Sequence, residues 1–460
     1  MKAIMPRASR SVGFPGGEWF VGAALGIFVH WDHASQQGLE ISWPLVNVDI
    51  APGTGRDHRP EWRAVSIGEY QSSAATFNPT EWDAAAFAAL AKQSGATYAI
   101  FTARHHAGYS MFHTAYSEFS VAESPFEGDL TSSFTNAVRD VGLKVGLYFS
   151  LPDWNHPDYP AIEARDLPYK KERWPEAAQA EFAHSPFSLD KRRRSSEEAW
   201  SRYLHYIRGQ LTELLTNYGE IDLLWFDGDW ERSPDEWRTA ELRDLVKSLQ
   251  PDIVINDRLT GAGDYATPEQ GFPPDPPLGP WELCLTMNRD WAWNPADNEV
   301  KSTRTLLRNL IDVVSRGGNL LLNIGPKGDG SLNSAQVDRL VAIGDWMETH
   351  RESVVGVEPT AGIDFYGPTT ARPNTLYLHL VSLPVDEVIV RGVFVNRVSA
   401  VRLLADPTRT LIYEAVDDLH ARVANELDQV GELRIVAPQP SGASIDVIAI
   451  DFSLEAGPNP

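Results

Sequence analysis

The stretch best suited to chemistry is an apolar run at residues 221–226 that is followed directly by Asp227. Such a run indicates a strand buried on both faces, and α/β barrels place catalytic groups at the ends of buried parallel strands. Trp225 and Trp230 could supply flat apolar surfaces on which sugar rings stack. The alternative interpretation is that Asp227 caps a helix or closes a turn.

The same pattern of polar and aromatic residues recurs where other apolar runs end. In chain order these run ends carry His30, Trp31 and His33; Arg104, His105 and His106; Tyr148, Asp153 and Trp154; Asn256, Asp257 and Arg258; and Glu269, Trp281 and Glu282. One histidine in such a place is more often structural, but the strand ends of a barrel meet at a common mouth. The recurrence therefore favours a single pocket.

Two chemistries compete for this mouth. The first is a catalytic metal held by His30, His33, His105, His106 and Asp227. Neighbouring residues of a strand point to opposite faces, so His105 and His106 are not expected to bind one ion together. The second pairs an ionised nucleophilic carboxylate with an acid/base carboxyl of raised pKa, as retaining glycosidases do. The aromatic, His and Arg side chains suit the second chemistry, and we expect no metal.

The elements that must position these residues alternate along the first three-quarters of the chain. Strands are predicted at residues 24–31, 97–102, 145–150, 221–226, 253–256, 282–286 and 320–324. Helices are predicted at residues 80–94, 132–141, 196–218, 235–249, 302–315 and 334–350. This alternation, without a GxGxxG or Walker pattern after any strand, predicts an α/β protein with a (β/α)8-like, TIM-type barrel.

The pattern changes near residue 355. Short alternating runs follow at residues 376–380, 387–391, 400–404, 433–435 and 445–450. Such runs are typical of an antiparallel β-sandwich. We therefore predict a catalytic barrel at residues 1–355 and a C-terminal β-sandwich at residues 356–460. Two insertions without clear periodicity, at 35–77 and 153–191, interrupt the barrel, and the second is predicted to be a loop on its face.

Composition limits the classes of partner. The chain has 460 residues and a net charge of −23, which argues against a nucleic-acid partner. Cys284 is the single cysteine, which excludes an internal disulfide framework and a Cys-based metal site. With no long apolar run and no secretory signal visible, we expect no membrane partner and a cytoplasmic enzyme, or a secreted one if a signal was trimmed. Homo-oligomerisation is left open.

Seven short stretches, taken in order, resemble the α-L-fucosidases of glycoside hydrolase family 29. They cover residues 25–31, 77–82, 105–109, 146–150, 225–228, 256–258 and 317–326. The stretch Trp225-Phe226-Asp227-Gly228 is one of them. Each stretch alone is a weak signal, but seven in order are specific, and the resemblance spans residues 19–356.

The resemblance implies a retaining exo-α-L-fucosidase that needs no cofactor and releases terminal α-L-fucose from fucosylated oligosaccharides or glycoconjugates by double displacement. It makes Asp227 the nucleophile and Glu269 the acid/base, with Glu282 as the runner-up. The positions that match the fucose pocket are His30, Trp43, His105, His106, Tyr148, Trp225, Arg258 and Trp291. Trp291 matches an aromatic residue that packs near the methyl group of the sugar.

The chain departs from the family pattern at two places. Asp32 stands where a glycine often follows the His-Trp pair. Ser42 stands where a Glu-Trp pair usually contacts sugar hydroxyls, and Glu40 lies two residues earlier. Trp43 is expected to keep its role, whereas the glutamate contact is in doubt. This departure could alter the linkage preference or slow turnover.

Two functions from other classes remain open. A lectin-like protein could have kept the pocket and lost the chemistry, although Asp227 and the two acid/base candidates argue against this. A metal-dependent barrel hydrolase would use the histidines instead. Turnover of an aryl α-L-fucoside distinguishes a fucosidase from a lectin-like protein, and a metal assay distinguishes it from a metal-dependent hydrolase.

Overall fold

The computed structural model describes residues 16–42, 67–159, 196–417, 419–424 and 429–453. Trp43 and most of the insertion predicted at 153–191 lie outside these ranges. The described chain forms one parallel sheet followed by two antiparallel sheets. None of the helices in these ranges is long and apolar enough to cross a membrane.

A parallel sheet of seven strands forms the first part of the fold. The strands are Leu25–Val29 (β1), Tyr98–Arg104 (β2), Lys144–Ser150 (β3), Leu223–Asp227 (β4), Val254–Ile255 (β5), Glu282–Thr286 (β6) and Asn319–Ile324 (β7). Their order is β5-β4-β3-β2-β1-β7-β6, and every pair is parallel. All but one of their residues are buried, as expected for a sheet covered on both faces. The seven predicted strands are confirmed.

The described residues contain no eighth strand of the parallel sheet, so the predicted (β/α)8-like barrel is observed as a barrel-like sheet of seven strands and not as a closed barrel of eight. The segment 264–270 lies between β5 and β6 instead. It makes single parallel bridges from Tyr265 to Asn256, from Ala266 to Trp281 and from Glu269 to Cys284. Pro268 lacks an amide hydrogen and cannot donate to a ladder, so this segment bonds to its neighbours irregularly.

Helices of the first part of the fold pack against the parallel sheet. The α-helices of the described residues are Ile67–Ser72 (α1), Ala84–Gln93 (α2), Leu130–Asp140 (α3), Glu197–Asn217 (α4), Pro234–Trp237 (α5), Thr239–Leu249 (α6), Thr303–Ser315 (α7), Ser334–His350 (α8) and Leu419–Val423 (α9). Side-chain caps begin most of the long helices, with Asp, Ser or Asn accepting from the first turn.

Two predicted helices differ from those observed. The helix predicted from residue 80 begins at Ala84, because Asp83 caps it by accepting from Ala86 N at 2.9 Å. The helix predicted at 235–249 is divided into α5 and α6 by Arg238, whose φ of 53° is left-handed. A non-glycine residue in that conformation interrupts the helical hydrogen bonds, so hydrophobic periodicity alone could not reveal the break.

The C-terminal part is a β-sandwich, as predicted. One sheet has the order β13-β12-β16-β10-β9-β8 and the other β11-β15-β14. Their strands are Glu358–Pro359 (β8), Thr369–Arg372 (β9), Thr375–Leu380 (β10), Glu387–Phe394 (β11), Val398–Leu403 (β12), Asp406–Thr410 (β13), Tyr413–Asp417 (β14), Val430–Val436 (β15) and Asp446–Phe452 (β16). Apolar side chains of both sheets form one core, and Trp346 Nε1 of α8 donates to Ile445 O beside β16 at 2.7 Å.

Candidate active site

Asp227 is the last residue of β4 and lies at the carboxyl end of the parallel sheet. Its Oδ1 accepts a hydrogen bond from Arg258 Nη1 at 2.8 Å, and its Oδ2 accepts one from Tyr148 Oη at 2.7 Å. His106 Nε2 lies 3.6 Å from the same Oδ2. Gly228 follows with a φ of 79°, a conformation that glycine adopts at little cost. The strand therefore ends on the carboxylate and turns away at once.

The carboxyl group of Asp227 is buried and nonetheless ionised. Burial alone would raise its pKa, but the charge of Arg258 and the hydrogen bonds from Arg258 and Tyr148 outweigh that effect. The pKa therefore lies below the ordinary value of 3.8. A buried carboxylate held ionised by a guanidinium group has the protonation state that a nucleophile needs.

Glu269 lies on the irregular segment 264–270 and shares Arg258 with Asp227. Arg258 Nη2 contacts Glu269 Oε2 at 2.8 Å while Nη1 contacts Asp227. The Glu269 side chain is 31% exposed, whereas that of Asp227 is buried. The two carboxyl groups are thus held by one guanidinium, with Glu269 on the solvent side.

Glu282, the other acid/base candidate, lies elsewhere. It is the first residue of β6, at the amino end of the strand, and is 0% exposed. Its carboxyl group accepts hydrogen bonds from Trp225 Nε1 at 3.1 Å, from Tyr265 Oη at 3.4 Å and from Tyr98 Oη. Burial raises its pKa to about 7 despite these donors. The structure therefore does not bring Glu282 to the side of the site that faces solvent.

Three histidines surround Asp227, and each is held through its Nδ1 atom. His30 Nδ1 contacts Asn323 Oδ1, and His105 Nδ1 contacts Ser42 Oγ; both distances are 2.7 Å. His106 Nδ1 contacts Ser150 Oγ, also at 2.7 Å. Burial lowers the pKa of His30 to about 3 and that of His106 to about 4. Both rings are therefore neutral near pH 7.

The expectation that His105 and His106 face opposite ways is wrong. Strand β2 ends at Arg104, so the alternation of a strand no longer applies to the two residues that follow. Their ring centroids lie 4.2 Å apart. One ligand atom from each histidine and one from Asp227 lie within 4.8 Å of one another, a spacing that could hold a metal ion. Against that reading, both oxygens of Asp227 already accept bonds from Arg258 and Tyr148.

Aromatic rings form the walls of the site. Tyr148 stacks on Trp225 with ring centroids 5.5 Å apart, and the Arg258 guanidinium lies 4.5 Å from the Trp225 ring centroid. Trp291 packs against His30 at 4.7 Å between ring centroids. His33 is not brought to the site and instead contacts Ser73 Oγ at 2.7 Å. Of the predicted pocket residues, only Trp43 lies outside the described residues.

The two departures from the family pattern are connected in space. Tyr70 Oη donates to Asp32 Oδ2 at 3.2 Å and accepts from Ser42 N at 2.8 Å. Glu40 accepts hydrogen bonds from Trp291 N at 2.8 Å and from the next residue, Ala292 N, at 3.0 Å. Glu40 is thus buried behind the pocket wall, where it fixes the main chain that carries Trp291.

Sequence reasoning missed the residues that hold the pocket from behind. They are Glu40 in this role, Ser42, Tyr70, Ser150 and Asn323. The available signal was a polar residue inside an otherwise apolar strand, as Asn323 is in β7. Its amide donates through Nδ2 to Trp291 O at 2.7 Å. One amide therefore supports both His30 and Trp291.

Comparison with known proteins identifies the family of this chain. The model of the family described as Alpha-L-fucosidase matches residues 8–352. The chain is 26% identical to the Alpha-L-fucosidase of Dictyostelium discoideum, over 81% of this chain and 79% of that protein. Its fold is similar to Alpha-L-fucosidase isoenzyme 1 from Paenibacillus thiaminolyticus, with 30% identity, a TM-score of 0.76 and coverage of 95% and 99% of the two chains. The alpha-L-fucosidase from Vibrio sp. strain EJY3 is 27% identical with a TM-score of 0.77, over 96% of this chain and 74% of that one.

Proposed function

The chain belongs to the α-L-fucosidase family of glycoside hydrolases, and we propose that it releases terminal α-L-fucose from fucosylated glycans with Asp227 as the nucleophile and Glu269 as the acid/base. The observation that carries the residue assignment is the Arg258 bridge. One guanidinium contacts both carboxyl groups at 2.8 Å. It thereby holds the two carboxyl groups near each other, and retention of configuration requires a separation of about 5–5.5 Å.

In the first step Asp227 attacks the anomeric carbon of the fucoside. The bond from that carbon to the aglycone oxygen breaks, and Glu269 gives its proton to the departing oxygen. The product is a fucosyl ester on Asp227. The low pKa of Asp227 supports its role, because the attacking group must be ionised before substrate binds.

In the second step Glu269, now a carboxylate, removes a proton from water. The resulting nucleophile attacks the anomeric carbon, the ester bond breaks, and Asp227 leaves as a carboxylate. Two inversions give L-fucose with the α configuration of the substrate. The partial exposure of Glu269 supports this role, because the acid/base group must reach both the aglycone and water.

Specificity for fucose is proposed to depend on Trp291 and the main chain that Glu40 and Asn323 hold. A pocket with Trp291 against the C5 methyl group has no partner for an added hydroxyl. Burial of an unpaired hydroxyl costs roughly 1–3 kcal/mol, which corresponds to about 10- to 150-fold discrimination. We predict that kcat/KM for an aryl α-L-fucoside exceeds that for the matching α-L-galactoside by this factor.

The variant Trp291→Ala should narrow that ratio, mainly by slowing cleavage of the fucoside. A matched control is Trp346→Ala, which removes a tryptophan of α8 next to the sandwich and should leave the ratio unchanged. Equal kcat/KM values for the two sugars in the unmodified protein would mean that Trp291 does not face C5.

Turnover of an aryl α-L-fucoside, followed by proton NMR, tests the proposed function. The first-formed sugar should be α-L-fucose, which then mutarotates. Binding of fucose without turnover would instead indicate a lectin-like protein, and β-L-fucose as the first product would contradict double displacement.

A further inference from the structure

Two serines hold the adjacent histidines of the site, and the two serine hydroxyls differ in their second hydrogen-bond partner. Ser42 Oγ contacts His105 Nδ1 and Ser150 Oγ contacts His106 Nδ1, both at 2.7 Å. A serine hydroxyl can donate one hydrogen and accept others, so its remaining partner decides which way the bond to the histidine runs. The tautomer of each ring follows from that direction.

At Ser150 the remaining partner is an acceptor. Its hydroxyl donates to Pro152 O at 2.8 Å. Because a carbonyl oxygen cannot donate, the only hydrogen of this hydroxyl is committed to it. His106 Nδ1 must then carry the hydrogen and donate to Ser150 Oγ. The Nε2 atom of His106, 3.6 Å from Asp227 Oδ2, is consequently an acceptor.

At Ser42 the remaining partner is a donor. Ala107 N donates to Ser42 Oγ at 2.8 Å. Among the described residues, the acceptor in direct contact with the Ser42 hydroxyl is His105 Nδ1, at 2.7 Å. Tyr70 Oη also lies beside this hydroxyl, but it already accepts a hydrogen bond from Ser42 N. If His105 Nδ1 were instead the donor, the hydroxyl would receive two hydrogens, and within the described ranges no acceptor in direct hydrogen-bond contact would be left for its own hydrogen. Ser42 is fully buried, so that arrangement is disfavoured.

The third histidine resembles His106. Asn323 donates through Nδ2 to Trp291 O at 2.7 Å, which orients its Oδ1 toward His30 Nδ1. An amide oxygen only accepts, so His30 Nδ1 carries the hydrogen and His30 Nε2 is an acceptor.

We propose that Ser42 is a positioning residue that makes His105 the hydrogen-bond donor of a pocket in which His30 and His106 are acceptors. The meaning of this pattern for the sugar rests on the proposed function. In a fucose pocket, Nε2 of His105 donates to one sugar hydroxyl, while Nε2 of His30 and Nε2 of His106 each accept a hydrogen from one. Ser42 stands where the family usually has a glutamate, whose carboxylate could not supply this hydrogen at neutral pH.

Two further contacts hold Ser42 in place for this role. Its main-chain nitrogen donates to Tyr70 Oη, which in turn donates to Asp32 Oδ2. Its φ of 64° is left-handed, a conformation that a non-glycine residue keeps only where the surroundings enforce it. The residues that depart from the family pattern, Asp32 and Ser42, thus act together on His105.

The test is nitrogen NMR of the protein labelled with ¹⁵N-histidine, recorded without ligand near neutral pH. The unprotonated ring nitrogen of a neutral histidine resonates well downfield of the protonated one, so each tautomer has its own signature. Spectra of His30→Gln, His105→Gln and His106→Gln assign the three rings. We expect a protonated Nε2 in His105 and a protonated Nδ1 in His30 and His106.

The variant Ser42→Ala should shift His105 alone toward the other tautomer or to a mixture of the two. Ser94→Ala, which removes a buried hydroxyl that donates to Ala91 O at 2.8 Å, is the matched control and should change none of the three rings. A protonated Nδ1 in His105 of the unmodified protein would overturn the proposal, as would an unchanged His105 signal in Ser42→Ala. If that variant does not fold, the spectrum of the unmodified protein still decides.

This measurement is independent of turnover. A protein that shows the expected tautomers but cleaves no fucoside would refute the proposed function and leave the tautomer assignment intact. An active fucosidase in which all three histidines have the same tautomer would support the proposed function and refute the tautomer assignment.

Discussion

A carboxyl group is buried at each end of the parallel sheet. Trp225 is linked to both groups, through Arg258 at the carboxyl end and by a direct hydrogen bond at the amino end. At the carboxyl end, the guanidinium of Arg258 lies 4.5 Å from the Trp225 ring centroid and holds Asp227. At the amino end, Trp225 Nε1 donates to Glu282. Burial opposes ionisation of both groups, yet the pKa of Asp227 is lowered while that of Glu282 is raised to about 7.

The difference teaches that the charge of the partner, rather than burial, separates the lowered pKa of Asp227 from the raised pKa of Glu282. Asp227 accepts a bond from a cation, whereas Glu282 accepts bonds only from neutral donors among the described residues, Tyr98, Trp225 and Tyr265. A hydrogen bond from a neutral group stabilises the ionised form less than a bond from a charged one. Sequence position alone would not distinguish these two acids.

The largest expected effect on activity comes from replacing Asp227 at the carboxyl end of the sheet. Asp227→Asn and Asp227→Ala should each lose about 10⁴- to 10⁶-fold in kcat, the scale on which removal of a nucleophile acts in other hydrolases. Azide should partly rescue the alanine variant and yield β-L-fucosyl azide, because the small anion fits the space left by the carboxylate. Near-normal turnover of the asparagine variant, with an unchanged circular dichroism spectrum, would remove Asp227 from the mechanism.

The second effect compares the two acid/base candidates directly. Glu269→Ala should lose roughly 10²- to 10⁴-fold on fucosides with poor leaving groups and much less on activated aryl fucosides. The basic limb of its pH–rate profile should also vanish. Glu282→Gln, the matched control at the amino end, should keep the normal dependence on leaving group. The roles swap if the glutamine variant shows the loss and the alanine variant does not.

A third effect concerns stability at the amino end. Since the pKa of Glu282 is raised from 4.5 to about 7, its contribution to the free energy of unfolding is fully present below the lower value and is lost as pH rises through the higher one. Glu282→Gln is neutral throughout and should lack this loss. Relative to that variant, the unmodified protein should lose on the order of 3 kcal/mol across this pH range.

Urea unfolding of both proteins at several pH values measures this difference. Glu123→Gln, which changes an exposed glutamate, is the control and should follow the unmodified protein. Parallel curves for the unmodified protein and Glu282→Gln would show that Glu282 is not a protonated group in the fold at low pH.

The last prediction is that removal of metal ions has no effect on activity. Treatment with EDTA should leave kcat/KM unaltered, compared with a control treated with the calcium complex of EDTA. The physical reason is that Arg258 and Tyr148 occupy the oxygens of Asp227 and that the Arg258 charge repels a cation. If EDTA abolished the activity and zinc restored it, the prediction would be wrong, and His105, His106 and Asp227 would be the metal ligands.

Much of this arrangement could be predicted from the sequence. The apolar runs identify the seven strands of the described parallel sheet, and the convergence of strand ends brings Asp227 and Arg258 together with every predicted histidine except His33. The irregular segment 264–270 could not be predicted, because its pairing depends on both neighbours rather than on its own pattern. The prediction that His105 and His106 point to opposite faces is wrong, because the strand ends at Arg104, just before them.

The residues behind the pocket were harder to find because their partners are distant in sequence. Glu40 and Trp291 are 251 residues apart, and His30 and Asn323 are 293 apart. No local pattern reports such pairs. The domain division at residue 355, the cytoplasmic location and the role of Trp43 stay predictions.

The central claim is that Asp227 forms a covalent bond to fucose, and trapping of that bond tests it most directly. A 2-deoxy-2-fluoro-L-fucosyl fluoride slows the breakdown of a fucosyl-enzyme ester, because the fluorine destabilises the positive charge that develops at the anomeric carbon. After incubation and peptic digestion, mass spectrometry should find one added 2-fluorofucosyl group on the peptide that contains Asp227. A label on Glu269 or Glu282, or inactivation without any label, would contradict the account.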